Sequence, residues 1–365
     1  MPIRTIIACG GTGGHLFPGI AVAEALLEAG GEALVLISEK EIDALATKGY
    51  DHLEFETMPA IAMPKLVSPK MVPFAFKFWR SLSRCKKLVR DFEADAVLGM
   101  GGFTSLAPLM AGRKRCAKTF IHESNAFPGK ANRVSSRFTD VVLLGMEACR
   151  KHFPNKPVEV VGTPLRKEMR ETYARTDALD HFGLETSGRR TILVMGGSQG
   201  ARGINRGVTG ALAEMGDMPL QVIHLTGPAD IEECREAYQG IDIPHHVSPF
   251  CHEMQLAYAS ADVAISRSGA SSLAESSAFA LPSILVPYPY AADDHQTLNA
   301  KVYADAGAAI MLKEDELSAR SLRMHLGELL GDNSQALANM RASMESLAVR
   351  NAAERICKTI ETRCQ

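Results

Sequence analysis

Three glycine-rich turns carry most of the chemical potential of this chain: Gly10-Gly11-Thr12-Gly13-Gly14-His15, Gly99-Met100-Gly101-Gly102-Phe103 and Gly196-Gly197-Ser198-Gln199-Gly200. Glycines between a strand and a helix let backbone N–H groups close on an anion, and a helix N-terminus adds partial positive charge. One such turn says little; three point to more than one phosphate-bearing ligand. Groups able to move a proton or hold a diphosphate stand among them. His15 follows the first turn, and an ordinary imidazole can accept a proton at neutral pH. It is read as a general base, or as a group that orients the turn or binds an acceptor diphosphate. Glu123, in His122-Glu123-Ser124-Asn125, is a rival base or a carboxylate tied to loop amides. Arg166 has a planar fork that matches phosphate oxygens, or serves a linker salt bridge.

A second constellation is Ser266-Arg267-Ser268-Gly269-Ala270-Ser271-Ser272, with Glu275 one helical turn further on. Hydroxyls and small residues at a strand end suit a phosphate, and Glu275 could accept two hydrogen bonds from a ribose diol. The competing reading is local: Ser271 or Ser272 caps a helix and Glu275 supports the cap.

The turns exclude several chemistries. A dinucleotide fingerprint needs glycine where Leu16 stands, and again where Ser198 stands; Glu39 is the best remaining point for an NAD reading. Gly129-Lys130 is followed by Ala131, so no P-loop is present. No Asp-x-Asp occurs to hold a divalent ion against a diphosphate, and Asp293-Asp294-His295 is poor ligand geometry, so no metal is expected.

These residues need a scaffold. Apolar runs at 5–9, 33–37, 96–98, 119–121, 141–144 and 158–161 alternate with helical stretches, and so do runs at 191–195, 221–225, 263–265 and 283–286. Pro18 is placed in the first turn of the helix after Gly14, where proline is tolerated. Repeated strand–helix–strand units imply a parallel sheet. The strand–GG[TS]xG–helix device occurs twice, half the chain apart, so the expected fold is α/β with two doubly wound Rossmann-like domains facing across a cleft. The boundary is placed at Gly162-Thr163-Pro164, giving domains 1–163 and 164–340, with the tail from about 341 to 365 packing back on the first.

The chain has 365 residues, 46% of them hydrophobic, enough for two cores. A net charge of −2 argues against a globally basic nucleic-acid binder. Eight scattered cysteines form no CxxC pair and suit a reducing compartment. The start has no export-signal pattern, and the uncharged run 96–112, which contains Pro108 and four glycines, is too short to span a bilayer. One segment suits a membrane surface: Phe74, Phe76, Phe78 and Trp79 stand beside Lys77 and Arg80, with Arg84, Lys86, Lys87 and Arg90 following. A helix with its phenylalanines in the core and a merely solvated basic face reads equally well.

Taken in order, the Gly10–His15 turn, His122–Asn125, Gly162–Arg166, Gly196–Ala201 and Arg267–Ala270 with Glu275 resemble the MurG family, the bacterial N-acetylglucosaminyltransferases of peptidoglycan synthesis. The resemblance runs from Ile6 to about Asn299. It implies a metal-independent, cofactor-free, inverting glycosyltransferase of GT-B type. The reaction implied moves N-acetylglucosamine from UDP-N-acetylglucosamine to the C4 hydroxyl of undecaprenyl-diphosphoryl-N-acetylmuramoyl-pentapeptide, at the cytoplasmic face of an anionic membrane. It places Thr12, Gly13 and Gly14 near the donor, Asn125, Arg166 and Ser198 on the donor sugar or diphosphate, and Gly101 and Gly102 on the acceptor diphosphate. Ala270, Ser271, Ser272, Leu273, Ala274 and Glu275 match the uridine-ribose stretch. Gln296 faces the sugar and Cys251 flanks the uracil. Two departures stand out: His295-Gln296 where two glutamines are common, and Cys251 where a larger aliphatic residue is usual. The competing readings are a UDP-N-acetylglucosamine 2-epimerase of the same fold, or another GT-B enzyme with a different lipid acceptor.

Overall fold

Each buried parallel strand must return over a helix before the chain can pair again in the same direction, so the order of apolar runs dictates a layered fold. The computed structural model describes residues 2–10, 13–39, 47, 49–59, 71–197, 199–331 and 335–365, with side chains from 73 onward in the helix that opens at Met71. The chain divides into two units, Met1–Lys167 with Val349–Gln365, and Glu168–Ala348.

The first unit runs β1 (Arg4–Ala8), α1 (Gly13–Glu28), β2 (Glu32–Ser38), β3 (Glu54–Met58), α2 (Met71–Asp91), β4 (Ala96–Gly99), α3 (Leu106–Lys114), β5 (Lys118–Glu123), α4 (Lys130–Ser135), β6 (Val141–Leu144) and β7 (Val158–Val160). Its described strands form a parallel sheet in the order β3-β2-β1-β4-β5-β6-β7. Ile6 pairs with Leu34 on one side and Val97 on the other. β1 is buried on both faces: Ile7 packs with Leu16 and Ile20 of α1, and Ile6 with Leu82, Cys85 and Val89 of α2. This two-sided burial is why the strand reads as an unbroken apolar run.

The second unit runs α5 (Arg175–His181), β8 (Arg190–Met195), α6 (Arg202–Leu212), β9 (Leu220–Leu225), α7 (Ile231–Tyr238), β10 (His245–Ser248), α8 (Met254–Ser260), β11 (Val263–Ser266), α9 (Ala270–Ala278), β12 (Ser283–Leu285), α10 (His295–Asp305), β13 (Ala309–Met311), α11 (Ala319–Leu330) and α12 (Gln335–Ser346). The sheet order, β10-β9-β8-β11-β12-β13, repeats the plan of the first unit, again all parallel. The chain then returns to the first unit. Its last helix, α13 (Ala352–Cys364), buries Ile356 and Ile360 in the cluster that holds α1, while Thr359 donates to Glu159 Oε2 at 2.7 Å.

Two expectations need correction. Pro18 is not in the first turn: α1 starts at Gly13, so Pro18 lies inside the helix, where it lacks the N–H that would bond back to Gly14. The strand expectations also omitted β3, β10 and β13. All three are sheet edges or incompletely buried, so none carries an unbroken apolar run.

Candidate functional site

In both sheets the chain leaves the first strand and later returns on its other side, so a crevice opens beyond the carboxyl ends of β1 and β4, and of β8 and β11. The glycine turns sit at those ends.

In the first unit, Gly10 lies so close to β2 that a Cβ would stand 2.2 Å from Ser38 N, and Thr104 Oγ1 donates to Gly10 O at 2.8 Å. Gly101 has φ +121°, and a Cβ there would meet His15 Cε1 at 2.7 Å. Glycine is therefore required for the β4 turn to close on the imidazole. His15 Nδ1 is enclosed with no hydrogen-bond partner. Burial lowers the His15 pKa below the ordinary 6.5, opposed by the charge of Glu123 and the backbone of Met100. The ring is thus neutral at pH 7.

Glu123, at the end of β5, is 3% exposed and fully engaged. Its Oε1 accepts from Asn125 N and Nδ2, both at 2.9 Å; its Oε2 accepts from Gly129 N at 3.0 Å and Asn132 Nδ2 at 2.8 Å. Four donors on two oxygens leave no free basic lone pair. His122 beside it donates from Nε2 to Gly162 O at 2.8 Å, so Nδ1 accepts from Ser124 Oγ at 3.3 Å, and burial again lowers its pKa. Arg166 lies with its guanidinium carbon 4.7 Å from the centre of the Phe17 ring of α1.

In the second unit the turn after β8 and the segment after β11 line one cavity of about 610 Å³, a size suited to a nucleotide-sized ligand. Gly196, Gly197, Gly200, Ser272 and Gln296 lie on it. Gly200 (φ +77°) approaches β9 so closely that a Cβ would stand 2.1 Å from Thr226 O. Gln296 Oε1 accepts from Tyr288 N at 3.0 Å, which fixes the side chain. The capping reading of the β11 segment does not hold: the N-cap of α9 is Gly269, with no side-chain cap bond. Glu275 Oε2 instead accepts from Tyr258 Oη at 2.9 Å. Cys251, Ala270, Ser271, Leu273, Ala274 and Glu275 are not on the cavity wall; Cys251 is 8% exposed and Leu273 is 1% exposed. Gly13 and Gly14 open α1. Thr12 and Ser198 lie outside the described residues.

Sequence reasoning named Arg267 within two motifs but gave it no role; the cavity places it on its wall with Tyr288 and Glu314. Arg267 is pinned by the carbonyls of Val286 (3.1 Å) and Pro287 (3.2 Å) and by an ion pair with Glu314. The signal available was an arginine immediately after a buried strand, where only short polar residues were weighed.

The aromatic residues of α2 differ in exposure. Phe74 and Phe78 are half-buried and stack at 6.0 Å, while Phe76 (60% exposed), Trp79 (64% exposed) and Arg80 face solvent. Among the described residues no helix is long and apolar enough to cross a membrane.

Comparison with known proteins follows the same division. Residues 5–144 match the glycosyltransferase family 28 N-terminal domain and residues 191–356 the family 28 C-terminal domain. The chain is 34% identical over 98% of its length to a Desulforamulus reducens protein, and over 98% of that protein. It is 38% identical over 90% of its length to a Myxococcus xanthus protein, of which 84% is covered. Both are named UDP-N-acetylglucosamine–N-acetylmuramyl-(pentapeptide) pyrophosphoryl-undecaprenol N-acetylglucosamine transferase. The crystal structure of Acinetobacter baumannii MurG matches with a TM-score of 0.78 at 27% identity, covering 99% of this chain and 100% of that one. A Listeria monocytogenes chain assigned as a UDP-N-acetylglucosamine 2-epimerase shares the fold, with a TM-score of 0.73 at 15% identity, covering 100% and 97%.

Proposed function

The chain belongs to glycosyltransferase family 28, with the GT-B fold, and on that premise we propose that it transfers N-acetylglucosamine from UDP-N-acetylglucosamine to the C4 hydroxyl of undecaprenyl-diphosphoryl-N-acetylmuramoyl-pentapeptide. The observation that carries this reading is identity of 34–38% with transferases so named, over 90–98% of this chain and 84–98% of theirs. The epimerase shares the fold but only 15% of residues, which supports common architecture and no more.

In this reading the second unit takes the donor. The amides of the Gly196–Gly200 turn, with Ser198 and the N-terminus of α6, receive the diphosphate. Glu275 takes the ribose hydroxyls, its carboxylate aimed by Tyr258; Ala270 to Ala274 form the stretch that carries it, Cys251 flanks the uracil, and Gln296 meets the sugar. The first unit takes the acceptor. Gly101 and Gly102 receive its diphosphate, Thr12, Gly13 and Gly14 border the donor, and Asn125 and Arg166 bind donor sugar and diphosphate. His15, neutral and half-buried beside Gly101, removes the proton of the attacking hydroxyl as UDP departs from the opposite face of the sugar. Glu123 acts on geometry: with both oxygens saturated, it fixes Asn125 and the loop to Gly129 and raises the basicity of His15 through its charge. Phe76, Trp79 and Arg80, with Phe74 and Phe78 behind them, dock the enzyme peripherally on the anionic inner face of the plasma membrane.

The test is product identity. Incubation with UDP-N-acetylglucosamine and a short-chain polyprenyl-diphosphoryl-N-acetylmuramoyl-pentapeptide should raise the lipid mass by one N-acetylhexosamine. Appearance of the 2-epimer of the sugar nucleotide, with the lipid unchanged, would assign the epimerase instead.

A further inference from the structure

The end of the second unit's sheet away from the glycine turns carries a second basic cavity. It measures about 980 Å³ and is lined by Arg175, Arg189, Arg190 and Arg341, with Asp262 the one acidic group on its wall among the described residues. Asp262, 7% exposed, organises one side. It accepts from Arg175 Nη2 at 2.7 Å and from Thr191 N at 2.8 Å, and lies 3.3 Å from Arg190 Nη1. One carboxylate faces two guanidinium groups there, so positive charge is left over. Arg189 pairs with the exposed Glu185 at 2.9 Å. Arg341, on α12, is half-buried and has neither an ion pair nor a hydrogen bond among the described residues. A guanidinium partly withdrawn from water without an acceptor is costly unless a ligand supplies one.

We propose that this cavity is a binding site for a phosphate-bearing anion, separate from the donor site. Arg190 opens β8 and the Gly196 turn closes it, so the two sites lie roughly 17 Å apart along the strand. Guanidinium forks pair bidentately with phosphate oxygens, and the arginines here converge from α5, β8 and α12 on one space. The volume exceeds a single phosphate group and the wall is largely polar, which favours a diphosphate or a phosphate diester head group over an apolar ligand.

The experiment uses the full chain saturated with UDP, so that the donor site is filled. Inorganic pyrophosphate is titrated calorimetrically, and association with phosphatidylglycerol vesicles is measured against phosphatidylcholine vesicles. Arg341→Ala should weaken one of these affinities by about tenfold or more, and Arg341→Lys should restore part of it. Loss of pyrophosphate affinity alone identifies a soluble phosphate; loss of vesicle affinity identifies a lipid head group. Unchanged melting temperature and turnover in Arg341→Ala exclude misfolding, and Arg189→Ala serves as a second variant. If neither pyrophosphate nor vesicle affinity changes in either variant, the proposal is overturned.

Discussion

At the scale of single residues, the two rival bases separate on hydrogen bonding. His15 has an enclosed, unpartnered Nδ1 and a lowered pKa, whereas Glu123 spends both oxygens on four donors. His15→Ala should reduce kcat by about 10²- to 10⁴-fold while UDP affinity, measured calorimetrically, is retained. Retained turnover would remove the imidazole from the mechanism. Glu123→Gln makes a sharper distinction. Because the Glu123 charge raises the pKa of His15, its removal should move the acid limb of the kcat/KM–pH profile to lower pH. It should also cost about 1–3 kcal/mol of stability, since an amide NH₂ cannot accept from the donors it would face. An acid limb that stayed in place or moved up would contradict this assignment. The sequence made both groups visible because they flank motifs, but it could not divide their roles. The division depends on Gly129 and Asn132 reaching back to a carboxylate six and nine positions earlier.

At the scale of elements, legibility follows burial. Strands enclosed on both faces, such as β1 and β8, stand out as apolar runs. The edge strand β10 is His245-His246-Val247-Ser248 and β3 is Glu54-Phe55-Glu56-Thr57-Met58, patterns that only pairing with a neighbour turns into strand. The β9–α6–α7 junction carries a buried histidine with consequences for stability. His224 Nε2 donates to Asn205 Oδ1 at 3.1 Å and its Nδ1 accepts from Tyr238 Oη at 3.0 Å, a network that uses the neutral ring. Burial lowers its pKa from 6.5 to about 4. The unfolded chain therefore binds more protons between those values. The neutral ring's contribution is complete above pH 6.5 and lost progressively as pH falls to about 4, an effect on the order of 3 kcal/mol. Urea denaturation across that range should show stability falling with pH, and His224→Gln should flatten part of the slope; an unaltered slope would contradict the linkage. On α2, Phe76→Ser with Trp79→Ser removes two exposed side chains, so stability should change by about 0.5 kcal/mol or less. Sedimentation with anionic vesicles should nonetheless fall several-fold, and unchanged sedimentation would move the docking surface elsewhere.

At the scale of the whole molecule, one plan is used twice. Two parallel sheets with the same strand order place glycine turns at the same topological position, one beside a neutral imidazole and one on a nucleotide-sized cavity. The duplication was readable because the strand–glycine–helix device repeats. The pairing of Arg267 with Glu314 and the basic cavity were not, since each depends on groups far apart in the chain. The central claim is that the glycosyl group leaves UDP only for a lipid-linked muramoyl hydroxyl. It is tested most directly by UDP release measured with and without the muramoyl lipid. The account predicts release in one-to-one proportion with disaccharide-lipid formation and almost none without acceptor; equal release in its absence would contradict it.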